Sequence, residues 1–134
     1  MAEEEAVLFA NEAFYRAFAE GDLDAMDAIW ARDAPVSCIH PGWAALTERH
    51  QVLESWRSIL GSPESPDIHC REPKVFLFGD LALVICYEAI RGNFLVATNV
   101  FVKQESGWAL IHHQAGSTAY EPVEGASGAP ERLH

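Results

Sequence analysis

Basic side chains are scarce in this chain: nine lysines and arginines stand against twenty aspartates and glutamates over 134 residues, a net charge of −11. The stretch up to Asp33 is the extreme, with nine acids against Arg16 and Arg32 alone. Such a surface repels phosphate backbones and anionic headgroups, so neither nucleic acid nor a membrane surface is expected as a partner. Long hydrophobic runs are missing too, and no stretch approaches the roughly 18 apolar residues of a spanning helix. Cysteine is sparse and odd in number. Cys38, Cys70 and Cys86 show no C-x-x-C spacing, which argues for reduced, partly buried thiols over a disulfide framework or zinc ribbon. The opening Met-Ala-Glu-Glu-Glu is acidic where a targeting leader is basic, so a cytoplasmic location is expected. No internal repeat is visible.

What remains is a chain that is 49% hydrophobic and 22% charged, the composition of one globular core. Apolar residues recur at Val7, Ala10, Phe14 and Phe18, the period of an amphipathic helix over Glu3 to Glu20 that Gly21 ends. Asp22 is placed to cap a second helix, with Leu23, Met26, Ile29 and Trp30 as its buried stripe. Proline-bounded Val36 to Ile39 reads as a short edge strand. Thr47 suggests the cap of a third helix carrying Val52, Leu53, Trp56, Ile59 and Leu60. The rest reads as sheet. Ile68 to Phe78, Leu81 to Arg91, Phe94 to Gln104 and Trp108 to Ala115 are β-branched and aromatic runs, separated by the turn signals Gly79-Asp80, Gly92-Asn93 and Glu105-Ser106-Gly107. Residues 1–118 thus form one α+β domain, and the Gly-, Ala-, Ser- and Pro-rich residues 119–134 an irregular or disordered tail.

Pairing the strands through these turns places residues summing to 159, 185 and 212 opposite one another in the three hairpins. One face collects Arg71, Val75, Leu77, Val84, Cys86, Glu88, Ala97, Asn99, Phe101, Ile111, His113 and Ala115, with Arg71 opposite Glu88. The other collects Phe76, Leu83, Ile85, Tyr87, Val96, Thr98, Val100, Trp108, Leu110, His112 and Gln114. Three helices cover only one apolar face of such a sheet, so the second predicts a homodimer through Tyr87, Thr98, Val100, His112 and Gln114. Pro73, lacking a ladder donor, marks a candidate bulge that would turn Arg71 outward.

Two helices, a short strand, a third helix and a long meander, with Ala-Glu-Gly-Asp-Leu-Asp-Ala-Met at the first corner, resemble the nuclear transport factor 2-like superfamily. The last strand pair, Thr98-Asn99-Val100-Phe101 and Ser106-Gly107-Trp108-Ala109-Leu110-Ile111-His112-His113, is similar to SnoaL-like proteins and to the association domain of calcium/calmodulin-dependent kinase II. The resemblance implies a cystatin-like cone, three N-terminal helices packed on a curved antiparallel sheet around one pocket, and dimers or larger rings. The pocket arginines of the kinase domain fall here at Glu88, Asn99 and Ala115, so that anion site is not reproduced. The superfamily's ketosteroid isomerases use an aspartate base with a tyrosine and a protonated carboxylic acid. Their tyrosine place is Phe14, their second donor place lies near Asn99 and their base place near Cys38 or His40, so the isomerase triad is not present. The Asp-Arg-Asp arrangement of limonene epoxide hydrolases cannot be assembled either.

The candidate site therefore rests on polar residues within the oily concave face. His40, at the pocket mouth of the implied fold, and Glu88, in a strand otherwise apolar from Leu81 to Ile90, are the candidate proton carriers. Each has a structural alternative, a loop histidine bonding backbone and an ion pair from Glu88 to Arg71. Asn99 can donate to a ligand or bond His113. Phe14, Trp43, Trp56, Arg71, Asn99, Phe101 and His113 are the expected ligand-binding residues. His112 and His113 point to opposite faces and cannot chelate one ion, so no metal and no cofactor is expected. The leading expectation is a small-molecule-binding domain. The alternatives are a small isomerase, lyase or hydrolase using His40 or Glu88, and a homo-oligomeric assembly domain.

Overall fold

The computed structural model describes residues 2–63 and 67–123. Helix α1 spans Glu3–Glu20 and ends where Gly21, at φ 65°, lets its own N–H and that of Asp22 turn back onto Phe18 and Ala17 carbonyls. Asp22 then caps α2, Leu23–Ile29, by accepting a hydrogen bond from the Ala25 N–H at 3.1 Å. Helix α3 is Arg49–Leu60. Its N-cap is Glu48 rather than the expected Thr47, without a side-chain capping bond. Arg49 instead fixes its start, donating to the carbonyls of Asp27 and Ala31 and to the Asp27 carboxylate, which holds that carboxyl below its ordinary pKa.

Five strands make one sheet in the order β1-β5-β4-β3-β2, with β1 Ser37–Ile39, β2 Ile68–Phe78, β3 Leu81–Ile90, β4 Asn93–Gln104 and β5 Gly107–Ser117. The four long strands form the expected antiparallel meander, and β1 joins its edge parallel to β5. Arg91 and Gly92, both at positive φ, form the second turn, one residue earlier than expected, so Ile90 faces Asn93 and opposed residues sum to 183. A shift of two leaves every side chain on its expected face.

Two bulges do move side chains. In β2, Glu72 and Pro73 together face Cys86 alone, with Glu72 at φ 52°. Cys70, not Arg71, therefore stands opposite Glu88, and Arg71 stands opposite Tyr87. The expected Arg71–Glu88 ion pair is corrected on this register, as Pro73 foreshadowed. In β5 the extra residue is Ile111, because Asn99 faces His113 while Phe101 faces Leu110. Leu110 is accordingly buried and Ile111 only partly so, an exchange of their expected faces.

Helix α1 lies over the concave side and buries Val7, Asn11, Phe14, Tyr15, Ala17 and Phe18. They meet Trp56, Val84, Cys86, Ala97, Phe101 and Leu110 in the core. The outer face keeps Phe76, Ile85 and the hairpin-tip residues Phe78 and Leu81 exposed. Of the expected tail, residues 124–134 lie outside the described residues. The preceding segment crosses to β2, where the Tyr120 hydroxyl and the Val123 N–H both donate to Glu72. No described helix is long and apolar enough to cross a membrane.

The turn at Gly92 supplies a test of this register. Its φ of 84° disfavours any β-branched side chain, so Gly92→Val is expected to cost about 1–3 kcal/mol. Urea denaturation of the two proteins measures this, and equal midpoints would contradict the turn.

Candidate functional site

The inner ends of α1, β3, β4 and β5 bring five polar side chains together inside the cone. Tyr15 Oη donates to Glu88 Oε2 at 2.7 Å. Asn99 Nδ2 donates to Asn11 Oδ1 at 2.9 Å and to Tyr15 Oη at 3.2 Å, while its Oδ1 lies 2.6 Å from His113 Nδ1. His113 Nε2 in turn stands 3.9 Å from Glu88 Oε2. Glu88, Asn99 and His113 are each at most 2% exposed. Cys86 and Cys70 edge the cluster, at 3.3 Å from Tyr15 Oη and 3.6 Å from Asn11 Nδ2.

Aromatic rings wall this network. Phe14 lies edge-on to Trp56 at 5.6 Å and tilts against His113 at 5.0 Å. Trp30 and Trp56 each bury an indole N–H that has no partner among the described residues. His40 is buried with its ring 6.4 Å from that of His113. Its Nε2 bonds Ser55 Oγ at 2.9 Å, and Ser55 Oγ donates to the Val52 carbonyl at 2.6 Å. Trp43 covers the outer side of His40 at 4.8 Å and is itself 47% exposed.

Burial sets the charge states. Desolvation pushes the Glu88 carboxyl up to about 7, against a smaller lowering by the Tyr15 bond. It drives His40 down to about 4 and His113 down to about 3. Both histidines are thus neutral at physiological pH. His112 points the other way, with Nδ1 at 2.7 Å from Ser37 Oγ, and no three metal-ligating side chains converge among the described residues.

Of the expected residues, Phe14, Trp56, Glu88, Asn99, Phe101 and His113 meet in this one interior. His40 adjoins it through Trp56 at 4.9 Å, Trp43 sits outside it, and Arg71, opposite Tyr87 rather than Glu88, lines the groove beside it. Packed side chains, not an open chamber, occupy the centre. The opening lies beside it: a groove of about 730 Å³ between α1 and β2, lined by Leu8, Phe9, Asn11, Tyr15, Cys70 and Arg71 among others. Asn11, Ser55 and Cys70 are site residues the sequence reading passed over, and Tyr15, expected as core or pocket wall, supplies the hydroxyl that bonds Glu88. Asn11 lies four residues from both Val7 and Tyr15, and Ser55 lies beside Val52 and Trp56, so each is a polar residue on an apolar helical stripe. That signal was available.

The charge states predict a stability profile. Glu88 binds its proton more tightly in the native state, so its contribution falls as pH rises from about 4.5 through about 7. The two histidines resist protonation when folded, so theirs is lost as pH falls below the ordinary 6.5. From 6.5 to about 7 the Glu88 slope dominates, which places the optimum near 6.5, and the buried Cys38 thiol, pushed from 9.0 up to about 12, adds its own loss only above 9.0. Glu88→Gln is expected to flatten the alkaline limb and gain up to about 3 kcal/mol at about pH 8. Guanidinium titrations across pH measure it, and an unchanged alkaline limb would contradict the assignment.

Comparison with known proteins gives this geometry a family. The sequence matches the SnoaL-like domain over residues 7–121. A candidate dehydratase of the NTF2-like family from Streptomyces avermitilis is 35% identical with a TM-score of 0.82, covering 87% of this chain and 96% of its own. A candidate calcium/calmodulin-dependent protein kinase type II association domain from Thiobacillus denitrificans is 34% identical with a TM-score of 0.75, covering 81% and 92%. The CaMKII hub of S. rosetta shares the fold at 22% identity and a TM-score of 0.73, covering 88% and 98%. The F-box protein SKIP8 of Arabidopsis thaliana is 24% identical over 82% of this chain, which spans about half of that protein, 48%. With an α+β cone of three helices on a curved sheet and a match along most of its length, the chain belongs to the SnoaL-like, NTF2-like family.

Proposed function

We propose that this chain is a homodimeric small-molecule-binding domain whose recognition groups are the buried polar cluster reached from the α1–β2 groove. The observation that carries the reading is the cluster itself. Asn11, Tyr15, Glu88, Asn99 and His113 are at most 5% exposed, and an apolar core of equal volume would be more stable than one that desolvates a carboxylate. Perturbed titratable groups held in such a place mark functional sites. The groove, about 730 Å³, falls in the size range of small-molecule sites, and its floor of Asn11, Tyr15 and Cys70 adjoins the cluster.

The outer sheet face supports the dimer. Ile85 is exposed and Leu83, Tyr87, Val96, Thr98, Val100 and His112 are half-buried there, an apolar surface that none of the described helices covers. Hub domains among the structural relatives agree with self-association. A second reading, an acid–base enzyme, draws on Glu88, whose pKa of about 7 suits proton transfer near neutrality, and on the candidate dehydratase. In that reading Glu88 is the proton carrier. His40, committed to Ser55, supports the wall.

Two measurements test these statements. Sedimentation equilibrium is expected to give twice the monomer mass for the wild type and the monomer mass for Ile85→Asp, and a monomeric wild type would remove the dimer. Amide chemical-shift mapping with a panel of small neutral, cationic and anionic compounds is expected to perturb Asn11, Tyr15 and Cys70. If no compound moves them, the binding reading gives way to a pure assembly domain.

A further inference from the structure

The hydrogens of the buried cluster run in one direction. Asn99 spends its Nδ2 hydrogens on Asn11 Oδ1 and Tyr15 Oη, so its Oδ1 accepts, and the short 2.6 Å approach of His113 Nδ1 places the imidazole hydrogen on that nitrogen. His113 Nε2 is then a bare lone pair. Tyr15 has already given its hydrogen to Glu88 Oε2. Two acceptors, His113 Nε2 and Glu88 Oε2, therefore face each other at 3.9 Å with no hydrogen between them. Among the described residues no lysine or arginine pairs with Glu88 either, and its one basic contact is the neutral His113.

An acceptor pair facing across such a gap, one of them a carboxylate, asks for a donor with more than one hydrogen and, at best, a positive charge. We infer that Glu88 and His113 form the head-group site for a small amine, whose N–H hydrogens bridge Glu88 Oε2 and His113 Nε2. The amine enters from the α1–β2 groove, where Cys70 stands directly opposite Glu88 in the strand register. Glu88 and His113 do not themselves line the groove, so the side chains between, Asn11, Tyr15 and Cys70, must give way, and the Asn11–Cys70 contact, at 3.6 Å, is a weak bond to sulfur. Leu8, Phe9, Ile68 and Pro73 line the groove for an apolar body. Glu5 and Glu12 line it together with Arg16 and Arg71, so the groove itself is balanced in charge and the pull on cations comes from the chain's net charge of −11.

A second observation points independently to an absent ligand. Trp56 is fully buried, its ring 5.9 Å from that of His113, and its Nε1–H is unpaired among the described residues. Each such orphaned donor costs on the order of a hydrogen bond's desolvation. An oxygen carried by the same ligand satisfies it, so the preferred class is a short amine bearing a hydroxyl or carbonyl. The flanking rings of Phe14 and Trp56 add cation–π attraction.

This inference rests on the binding reading above, and the test separates the two. 3-Amino-1-propanol, 1,3-propanediol and 3-hydroxypropanoate, matched in size, are titrated at about pH 8 while the Trp56 indole N–H and His113 ring nitrogens are followed by NMR, with Trp56→Phe to assign the indole. The amine is expected to act at a concentration about tenfold lower than the diol, and Glu88→Gln to bring the two to parity. Equal action of amine and diol on the wild type, or tighter binding of the carboxylate, overturns the inference and leaves the binding reading intact. Shifts from none of the three overturn both. Should Glu88→Gln fail to fold, the wild type titrated at about pH 5 serves instead, where a protonated Glu88 is expected to erase the amine preference, and an unchanged preference counts against the site.

Discussion

The bond from Tyr15 to Glu88 organises this protein. It joins the helix that covers the cone to the third strand of the sheet beneath, and it is the only hydrogen bond that the buried carboxylate receives among the described residues. Without it Glu88 would be a charge in an oily interior, a state that costs several kcal/mol or forces protonation. With it, one oxygen is satisfied and the group is held near the point of proton loss. Asn99 supports the arrangement by bonding Tyr15, Asn11 and His113 at once. Few changes in this core are therefore local, because each member fixes the hydrogen of the next.

The supporting shell is arranged so that nothing else competes for that carboxylate. His40 is held by Ser55 and flanked by Trp43 and Trp56, Arg71 is moved out of register with Glu88 by the bulge at Glu72 and Pro73, and Arg49 is occupied at the α2–α3 corner. A family scaffold shared with a candidate dehydratase and with association domains does not specify chemistry by itself. The interior of this member holds a carboxylate, two neutral imidazoles and amides, with no guanidinium among the described residues.

The fold was legible because it rests on periodicity. Val7, Phe14 and Phe18 announce α1, and the glycine-bearing turns separate four long strands whose alternation fixes the faces. The hairpin sum of 185 was wrong by two, yet an even shift leaves faces untouched, so Glu88, Asn99, Phe101 and His113 were still gathered correctly. Odd shifts were not legible. Whether Pro73 makes a bulge, and that Ile111 does, depends on how strands bend around a core, which turn residues do not encode. The same limit hid Cys70 opposite Glu88. Asn11 was missed for another reason: the helix was read for its apolar stripe, and a polar residue on that stripe was passed over when it should have been the signal.

The bulge at Ile111 separates two properties that strands usually couple. Leu110 and His113 both face inward with two residues between them, where unbroken alternation would allow one. Removing Ile111 would leave Leu110, His112 and His113 on the faces they now occupy and restore an even ladder to β4. The extra residue therefore contributes no side chain to the cluster. It contributes curvature, and a relative one residue shorter at this point could keep the same inward-facing chemistry on a flatter sheet. In this strand the width of the cone and the chemistry of its lining are free to diverge separately.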